Sequence, residues 1–586
     1  MRLEQQVIAA YEHLQGGRLD EAMRLLRQVL AKAPGEPNAN RLMAMAHGAK
    51  HEDEAALFYI ARATAASPRD PDLLATHANV LFLLGRQAEA EPILARALAA
   101  APSHGQAVSL MARLHLEGGE FDAASGVYEA AHAAEPANAG LWIDHARLLQ
   151  EVGHPDEASR VLLRAVAACP TSHDVLVAAA YTLNLVAHDP IAHRDLHTRL
   201  SPRWTDTPLA PIDPPNPERP IRVALLSSDY CEHVCAVFLR PLLEHFDDPA
   251  ITLFSYGTVD QPDTRTAWFR ARPNWRDVPL GGRAGLADLC RTDKIDILIE
   301  CHGWTAGHHL DWLLPRVAPV QATFLGYPNT TGLTTMDFRI VDGVTDPPAH
   351  DAHLTERPAR VEGCFLCYQP EHPLPEPRPS RALQPGGERE PITFGSFNRV
   401  GKITDATVAL WSGVLRAVPD SRLLLKARVQ SEALNRATAA RFAACGVEAS
   451  RIAFSPFAHD RDGHLGSYGA IDVCLDATPY NGTTTTCEAL WMGVPVVTMA
   501  GGVHRARVGA SLLTAAGKPE WVASDEAGFV TIAAGMARDR VRLRTVHETL
   551  RASLLASPLC DARGYARRFG AMLRWMWRQA CERSRG

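Results

Sequence analysis

The chain has 586 residues, 46% of them apolar and 22% charged, with 60 Lys plus Arg against 66 Asp plus Glu. That composition fills several cores and excludes wholesale disorder. The formal charge of −6 gives no chain-wide footprint for nucleic acid or an acidic membrane and leaves room only for a local basic cleft. At roughly 150 residues per domain the length suggests about four domains, or fewer if one is a repeat array. No stretch reaches the ~18 apolar residues of a membrane span. Residues 1–14 carry Glu4 and Glu12 and no signal-peptide core. The 12 cysteines are too sparse for a disulfide scaffold. The reading is a cytoplasmic protein with no membrane and no nucleic-acid partner.

The N-terminal third has a period of 34 residues. Prolines fall at Pro34, Pro68, Pro102, Pro136 and Pro170, and alanines at Ala22, Ala56, Ala90, Ala124 and Ala158. Gly17, Gly85, Gly119 and Gly153 keep the same register, with His51 in the remaining slot. This is the tetratricopeptide period. Gly ends the first helix of each pair in a left-handed turn, Ala lets two helices approach, and Pro opens the next unit, where a missing N–H costs little. Five repeats are expected over residues 4 to 170, with a further helix, Asp174 to Leu185, capping an α-solenoid. The slot of Asn79 holds Met45, Arg113 and Arg147 in neighbouring repeats. The two Arg fit either a row holding an acidic or carbonyl ligand or a solvated helix face.

From Ser201 to Pro220 the chain is Pro-rich and reads as a stiff linker. Strand Ile221–Leu226 then begins an alternation of apolar runs, such as Ile295–Ile299, with helical stretches, such as Ala284–Arg291. Such alternation marks parallel α/β structure. A second Pro-rich break, Pro370–Pro391, precedes strand Ile392–Phe397 and helix Asp405–Ala417. Later strands are expected over Arg422–Leu425, Asp472–Leu475 and Val494–Met499. Two doubly wound halves place a ligand outside the carboxyl ends of their strands, so the chemistry is sought in the residues that follow strands.

Three such segments stand out. After strand Val473–Leu475, Gly482 permits a tight turn and Thr483, Thr484, Thr485 and Thr486 open a helix, whose free N–H groups suit a diphosphate. Glu488, one turn in, could take a ribose. The plain alternative is a Thr N-cap with a solvated Glu. After strand Ile392–Phe397 come Asn398, Arg399 and Lys402, and Lys402 could neutralise a diphosphate or lie in solvent. After the first strand, Ser227 to His233 ends in a His that could act as a base or be structural. Gly303, the loop Gly326–Gly332 and His464 are minor candidates. Asp460-Arg461-Asp462 forms a D-x-D, weak as a metal signal. Cys364-Phe365-Leu366-Cys367 has no second pair at zinc spacing and reads as buried strand cysteines.

In this order the motifs resemble those of the tetratricopeptide-repeat protein O-glycosyltransferases, the O-GlcNAc transferase and SPINDLY family. The SPINDLY branch is nearer, through Gly326–Leu333, Cys364–Tyr368, Gly395–Asn398, Lys402-Ile403-Thr404 and Gly482–Glu488. The resemblance covers nearly the whole chain. It implies a solenoid over 1–190, a capping segment and linker over 191–220, and a GT-B catalytic region with lobes over 221–385 and 386–586. The second lobe would carry the nucleotide-sugar site and the C-terminal helices. It implies inverting transfer of a sugar from a nucleotide to protein Ser or Thr, with no metal and no cofactor. Lys402 matches the family's phosphate lysine, Thr484 and Thr485 its helix-start threonines, Glu488 its ribose acid, His464 a histidine near the nucleotide and His233 a histidine assigned as base. Asn398, Arg399, Gly482, Thr483 and Thr486 complete the donor side. Gly303, Tyr327, Pro328, Thr330 and Thr331 are assigned to the acceptor or sugar side. The repeats would take protein acceptors and offer a homodimer contact. Thr483 and Glu488 follow SPINDLY, whereas O-GlcNAc transferases carry His and Asp there. The Asn row is mostly lost, and the donor stays open between UDP-GlcNAc and GDP-fucose. Two other functions fit the same residues: a repeat-bearing binding module whose lobes sense nucleotide sugars, and a glycosyltransferase acting on small molecules or glycans.

Overall fold

A computed structural model describes residues 2–200, 215–279, 282–305, 307–370, 375–426, 432–455, 458 and 460–584. They form two compact units. The first is built from residues 2–148 and 164–175, and the second from 149–163 and most of the chain beyond 176.

The repeats are antiparallel helix pairs: Leu3–Gln15 with Leu19–Lys32, Pro37–Ala49 with Asp53–Ala66, Pro71–Leu83 with Gln87–Ala100, and Gly105–Gly118 with Phe121–Ala134. Ala139–Glu151 and Pro155–Ala168 continue the period. The periodic alanines are buried to within 1% of full occlusion, because a larger side chain would force the paired helices apart. The four periodic glycines adopt φ between +72° and +87°, and His51 in the fifth slot adopts +58°. The backbone at that slot is therefore left-handed whatever residue fills it, which Gly does at least cost. The periodic prolines lie in the turns before each new pair, and their carbonyls accept hydrogen bonds across repeats: Arg62 donates to Pro34 and Arg96 to Pro68, each at 2.7 Å. Arg113 and Arg147 are well exposed and pair with Glu117 and Asp144 of their own helices at 3.6 and 3.4 Å.

The capping helix is shorter than expected. It runs His173–Thr182, and a separate helix, Pro190–Thr198, follows. Asp189 starts the latter, its carboxylate accepting from the Ile191 and Ala192 N–H groups at 2.8 and 2.9 Å, with Pro190 at the first helical position. Of the Pro-rich linker, residues 201–214 lie outside the described residues. So do residues 371–374 of the second break.

The second unit holds two all-parallel sheets. The first comprises β1 (Ile221–Ser227), β2 (Ile251–Gly257), β3 (Trp275–Asp277), β4 (Ile297–Glu300), β5 (Val320–Thr323), β6 (Phe338–Asp342) and β7 (Arg357–Val361), in the order β3-β2-β1-β4-β5-β6-β7. The second comprises β8 (Ile392–Ser396), β9 (Ser421–Lys426), β10 (Ile452–Ser455), β11 (Val473–Leu475), β12 (Val496–Met499) and β13 (Val522–Ala523), in the order β10-β9-β8-β11-β12-β13. Strands such as β4 and β8 are buried along their whole length, which is why they read as unbroken apolar runs rather than alternating ones. In each sheet the order reverses once, between β1 and β4 and between β8 and β11.

Two expectations need correction. The helix Ala562–Arg583 lies downstream of the second sheet in sequence but packs on the first: Phe569 meets Phe324 at 5.4 Å, and the Tyr565 hydroxyl donates to the Phe365 carbonyl at 2.8 Å. The span 386–586 is therefore not one lobe. Cys364 and Cys367 are buried and reduced but follow β7 in irregular backbone. Their segment bonds elsewhere than to a ladder: Phe365 N–H to the Asp342 carboxylate at 2.9 Å, and Tyr368 N–H to the Leu559 carbonyl at 2.9 Å.

Candidate active site

At a reversal of strand order the loops leaving neighbouring strands diverge, the usual place for a ligand in an open α/β sheet. The motifs fall there. Ser228–His233 leaves β1, and His302 and Gly303 follow β4. Asn398 to Lys402 leaves β8, and Asp476 to Glu488 leaves β11.

The β8 and β11 loops converge. The Lys402 ammonium donates to the Asn481 carbonyl at 2.8 Å and lies 3.8 Å from the centre of the Tyr480 ring. The side chain therefore points at the turn that ends in Gly482. That turn is fixed from below. The buried Asp476 carboxylate accepts from Gly482 N–H at 2.7 Å, Ala477 N–H at 2.9 Å and the Thr498 hydroxyl at 2.8 Å. Asn481 donates to the Ala477 carbonyl at 2.9 Å and accepts from Gly509 N–H at 3.2 Å. At Gly482 a Cβ would lie 2.4 Å from the Thr485 hydroxyl, 3.0 Å from that of Thr486 and 3.2 Å from the Asn398 amide oxygen, so only glycine fits. The helix Thr484–Trp491 starts there, and the Thr483 side chain makes no cap hydrogen bond, contrary to the plain N-cap reading. Thr485 instead donates to Asn398 at 3.2 Å and Thr486 to the Gly482 carbonyl at 3.0 Å. Burial holds Lys402 below the usual lysine range and lifts Asp476 above the usual carboxylate range, while the attraction between them works against both shifts. Arg399 is exposed and opposes the Lys402 charge from outside.

A second cluster lies one helical turn further in. His464 Nε2 is 3.0 Å from the Glu488 carboxylate, and its Nδ1 meets the Lys426 ammonium at the end of β9. Phe397 and Tyr468 flank the imidazole, with ring centres at 6.4 and 5.8 Å. Glu488, His464 and Lys426 thus form a chain of polar groups beside the Thr-rich helix start. Burial lowers Lys426 and the Glu488 charge offsets part of that shift. The sequence reading named His464 and Glu488 separately and missed Lys426, Asp476 and Tyr480. A polar residue just after an apolar strand was the available signal for Lys426 and Asp476. Nothing in the sequence marked Tyr480.

On the first sheet, His233 is the N-cap of helix Val234–His245 and is exposed, with Nδ1 3.1 Å from the Asp229 carboxylate and 3.3 Å from Cys235 N–H. Burial pushes the Asp229 carboxyl up, but the hydrogen bond to His233 and the charges of His302 and His233 more than offset it, leaving it below its ordinary value. His302 is buried, accepts from Ser228 N–H at 2.7 Å and is pushed down to about 4 by burial.

The loops assigned to the acceptor side are committed internally. The buried Tyr327 hydroxyl donates to the Ala180 carbonyl at 3.1 Å, accepts from Asn184 at 3.0 Å and lies 2.7 Å from His197. Both Thr330 and Thr331 hydroxyls donate to the Glu356 carboxylate, and Pro328 is buried. Gly303, at φ +58°, sits under Tyr327, whose Cβ would lie 2.1 Å from any Cβ placed there. These side chains hold the shape of their loops.

Asp229, His233 and Cys235 place three potential ligand atoms within 4.8 Å of one another. Burial first, and then the Asp229 charge, hold the Cys235 thiol well above its ordinary range, which opposes the thiolate that a metal requires. Asp460 of the D-x-D caps its own helix, accepting from Gly463 N–H at 2.6 Å.

Tetratricopeptide repeats followed by two parallel α/β lobes, with the polar groups gathered where strand order reverses, define a repeat-bearing protein of GT-B-like fold. The chain belongs to glycosyl transferase family 41, whose profile matches residues 211–374 and 381–569. Tetratricopeptide repeat profiles match 13–80, 81–128 and 115–180. A probable UDP-N-acetylglucosamine–peptide N-acetylglucosaminyltransferase, SPINDLY, of Arabidopsis thaliana is 38% identical over 403 residues, 67% of this chain and 43% of the relative. The probable transferase SEC of the same plant is 26% identical over 370 residues, 62% of this chain and 37% of that protein. An O-GlcNAc transferase mutant from Thermobaculum terrenum is similar in structure, with a TM-score of 0.72 and 31% identity over 87% of this chain and 98% of the other. The chain spans less than half the length of the curated relatives it matches. Among the described residues no helix is long and apolar enough to cross a membrane.

Proposed function

We propose that the chain transfers a sugar from a nucleotide donor, UDP-GlcNAc or GDP-fucose, to Ser or Thr hydroxyls of proteins in the cytoplasm. The reaction inverts the anomeric centre and uses no metal. The names of its relatives support peptide glycosylation. The observation that carries the reading is the Lys402 ammonium, held over Tyr480 at the turn from which the Thr-rich helix starts.

The acceptor oxygen attacks the anomeric carbon from the face opposite the diphosphate. The bond from carbon to phosphate oxygen breaks, and its electron pair leaves with the diphosphate. Negative charge therefore grows on the phosphate oxygens. Lys402 keeps two donors beyond the one spent on Asn481, and the helix start at Thr484 to Thr486 adds N–H groups and a positive dipole end. A diphosphate beside Lys402 restores the charge that burial disfavours, so binding and proton uptake are coupled. Glu488 takes the ribose, with His464 and Lys426 holding it in place. His233, exposed beside Asp229, stands on the β1 side of the site and receives the acceptor proton. The repeats supply the surface for protein acceptors and for a second copy of the chain.

Incubation with labelled UDP-GlcNAc or GDP-fucose and a cell extract tests this reading. Label is expected in protein. Tight donor binding without transfer would make the lobes a sensor, and label only in small products would move the acceptor to another class. Thermal-shift titration with UDP and GDP identifies the base, since the ligand that binds raises the melting temperature with its concentration.

A further inference from the structure

A cavity of about 490 Å³ opens where the edge strand β7 meets the closing helix Ala562–Arg583, on the opposite side of the first sheet's order from the β1–β4 reversal. Pro358, Met572 and Trp575 give it apolar walls, and Arg360, Arg567 and Arg568 give it a cationic rim, with the exposed Glu362 beside them. The volume lies in the range of small-molecule sites.

The arginines of the closing helix divide into two sets. Arg574 donates to the Arg219 carbonyl at 2.6 Å, Arg578 grips Glu218 through two bonds of 2.8 and 2.9 Å, and Arg583 reaches Asp337 at 3.2 Å. These hold the helix to the first sheet and its entry segment. The two that line the cavity do no such work. Among the described residues Arg567 has no hydrogen bond or ion pair. Arg568 approaches Asp561 only at 3.9 Å, and its buried Nε has no hydrogen-bond partner. Arg360 is already paired with Asp351. Two guanidinium groups thus face a cavity with donors to spare, and a guanidinium fork matches a phosphate in shape and charge.

The walls say what else the occupant carries. Trp575 is half-buried, braced on one side by the Arg357 guanidinium at 4.9 Å and at its edge by Phe338 at 5.6 Å. A held indole beside Met572 suits a flat ring. An extended peptide fits less well. Arg357 N–H bonds inward to Asp337, so the next residue, Pro358, occupies the outward-facing position of the edge and offers no N–H to an added strand.

We propose that this cavity is a second ligand site, separate from the donor crevice, for a small phosphorylated molecule bearing a flat ring, of the size of a nucleoside monophosphate. Arg567 and Arg568 hold the phosphate, Trp575 and Met572 hold the ring, and Glu362 accepts hydrogen bonds from a hydroxyl or amino group. Calorimetric titration of the full chain with AMP, adenosine and inorganic phosphate tests this, with the Lys402→Ala chain titrated alongside to separate the donor crevice. AMP is expected to bind one per chain, at least tenfold tighter than adenosine or phosphate. Arg567→Glu, at an exposed position, is expected to weaken AMP at least tenfold with an unchanged melting temperature, and Arg568→Gln to add to the loss. Lys402→Ala should leave AMP binding as it is. The proposal falls if AMP does not bind, if Lys402→Ala abolishes it, or if the Arg567→Glu/Arg568→Gln double variant binds as the parent does.

Discussion

At Lys402 two opposing effects meet. Desolvation disfavours the ammonium, while Asp476 and the Tyr480 ring favour it. The sequence showed a lysine after a strand, a common solvated arrangement, and only the fold reveals that its charge is aimed at a backbone turn. His464 and Glu488 were legible as separate polar residues, but their hydrogen bond to each other spans 24 residues of sequence and has no local signature. Tyr327, Thr330 and Thr331 show the reverse. The family resemblance put them on the acceptor side, and burial turns each hydroxyl inward, which is not written in a loop's composition. At this scale Glu488→Ala is expected to weaken nucleotide binding by about 10- to 100-fold, the size of a charge-assisted hydrogen bond, with a smaller change in kcat. Calorimetric titration with the accepted nucleotide checks this, and an unchanged Kd would detach Glu488 from the ribose.

At the scale of elements, the helix starting at Thr484 depends on the turn before it. Gly482→Ala forces a Cβ against two hydroxyls and an amide oxygen. Displacing them costs about 1–3 kcal/mol and moves the groups that would face the diphosphate. Donor binding is expected to fall by at least tenfold, with a melting temperature a few degrees lower. Parental binding in the Gly482→Ala protein would show that the turn has slack the structure does not suggest. Elements were the most legible level. The period of 34 fixed the helix pairs, including the left-handed slot at His51, and helix Asp405–Ala417 has the bounds its residues suggested. The second capping helix, Pro190–Thr198, lies just before the Pro-rich linker and went unread, although Asp189-Pro190 is a helix-start signal.

At the scale of the whole molecule, buried neutral histidines set an acid limit. His145, His197, His302 and His547 are each pushed down to about 4, by burial first in every case. The folded state therefore binds fewer protons than the unfolded chain below the ordinary histidine value of 6.5. Their stabilising contribution is complete above pH 6.5 and is lost progressively as the pH falls toward 4. A depression of one pH unit corresponds to about 1.4 kcal/mol. Glu300, lifted by burial, works in the opposite sense and offsets part of this. Melting temperature is expected to drop steeply between pH 6.5 and 4.5. A flat profile down to pH 4.5 would contradict the burial assigned to these rings. The placement of the closing helix on the first sheet was not legible, since nothing in its amphipathic pattern names the sheet it covers.

Turnover of Lys402→Ala, measured alongside its nucleotide affinity and melting temperature, addresses the central claim most directly. A cation facing a departing diphosphate predicts a loss of at least ~100-fold in turnover with the fold intact, and a smaller loss for His233→Ala. Parental turnover in a folded Lys402→Ala protein would contradict the account.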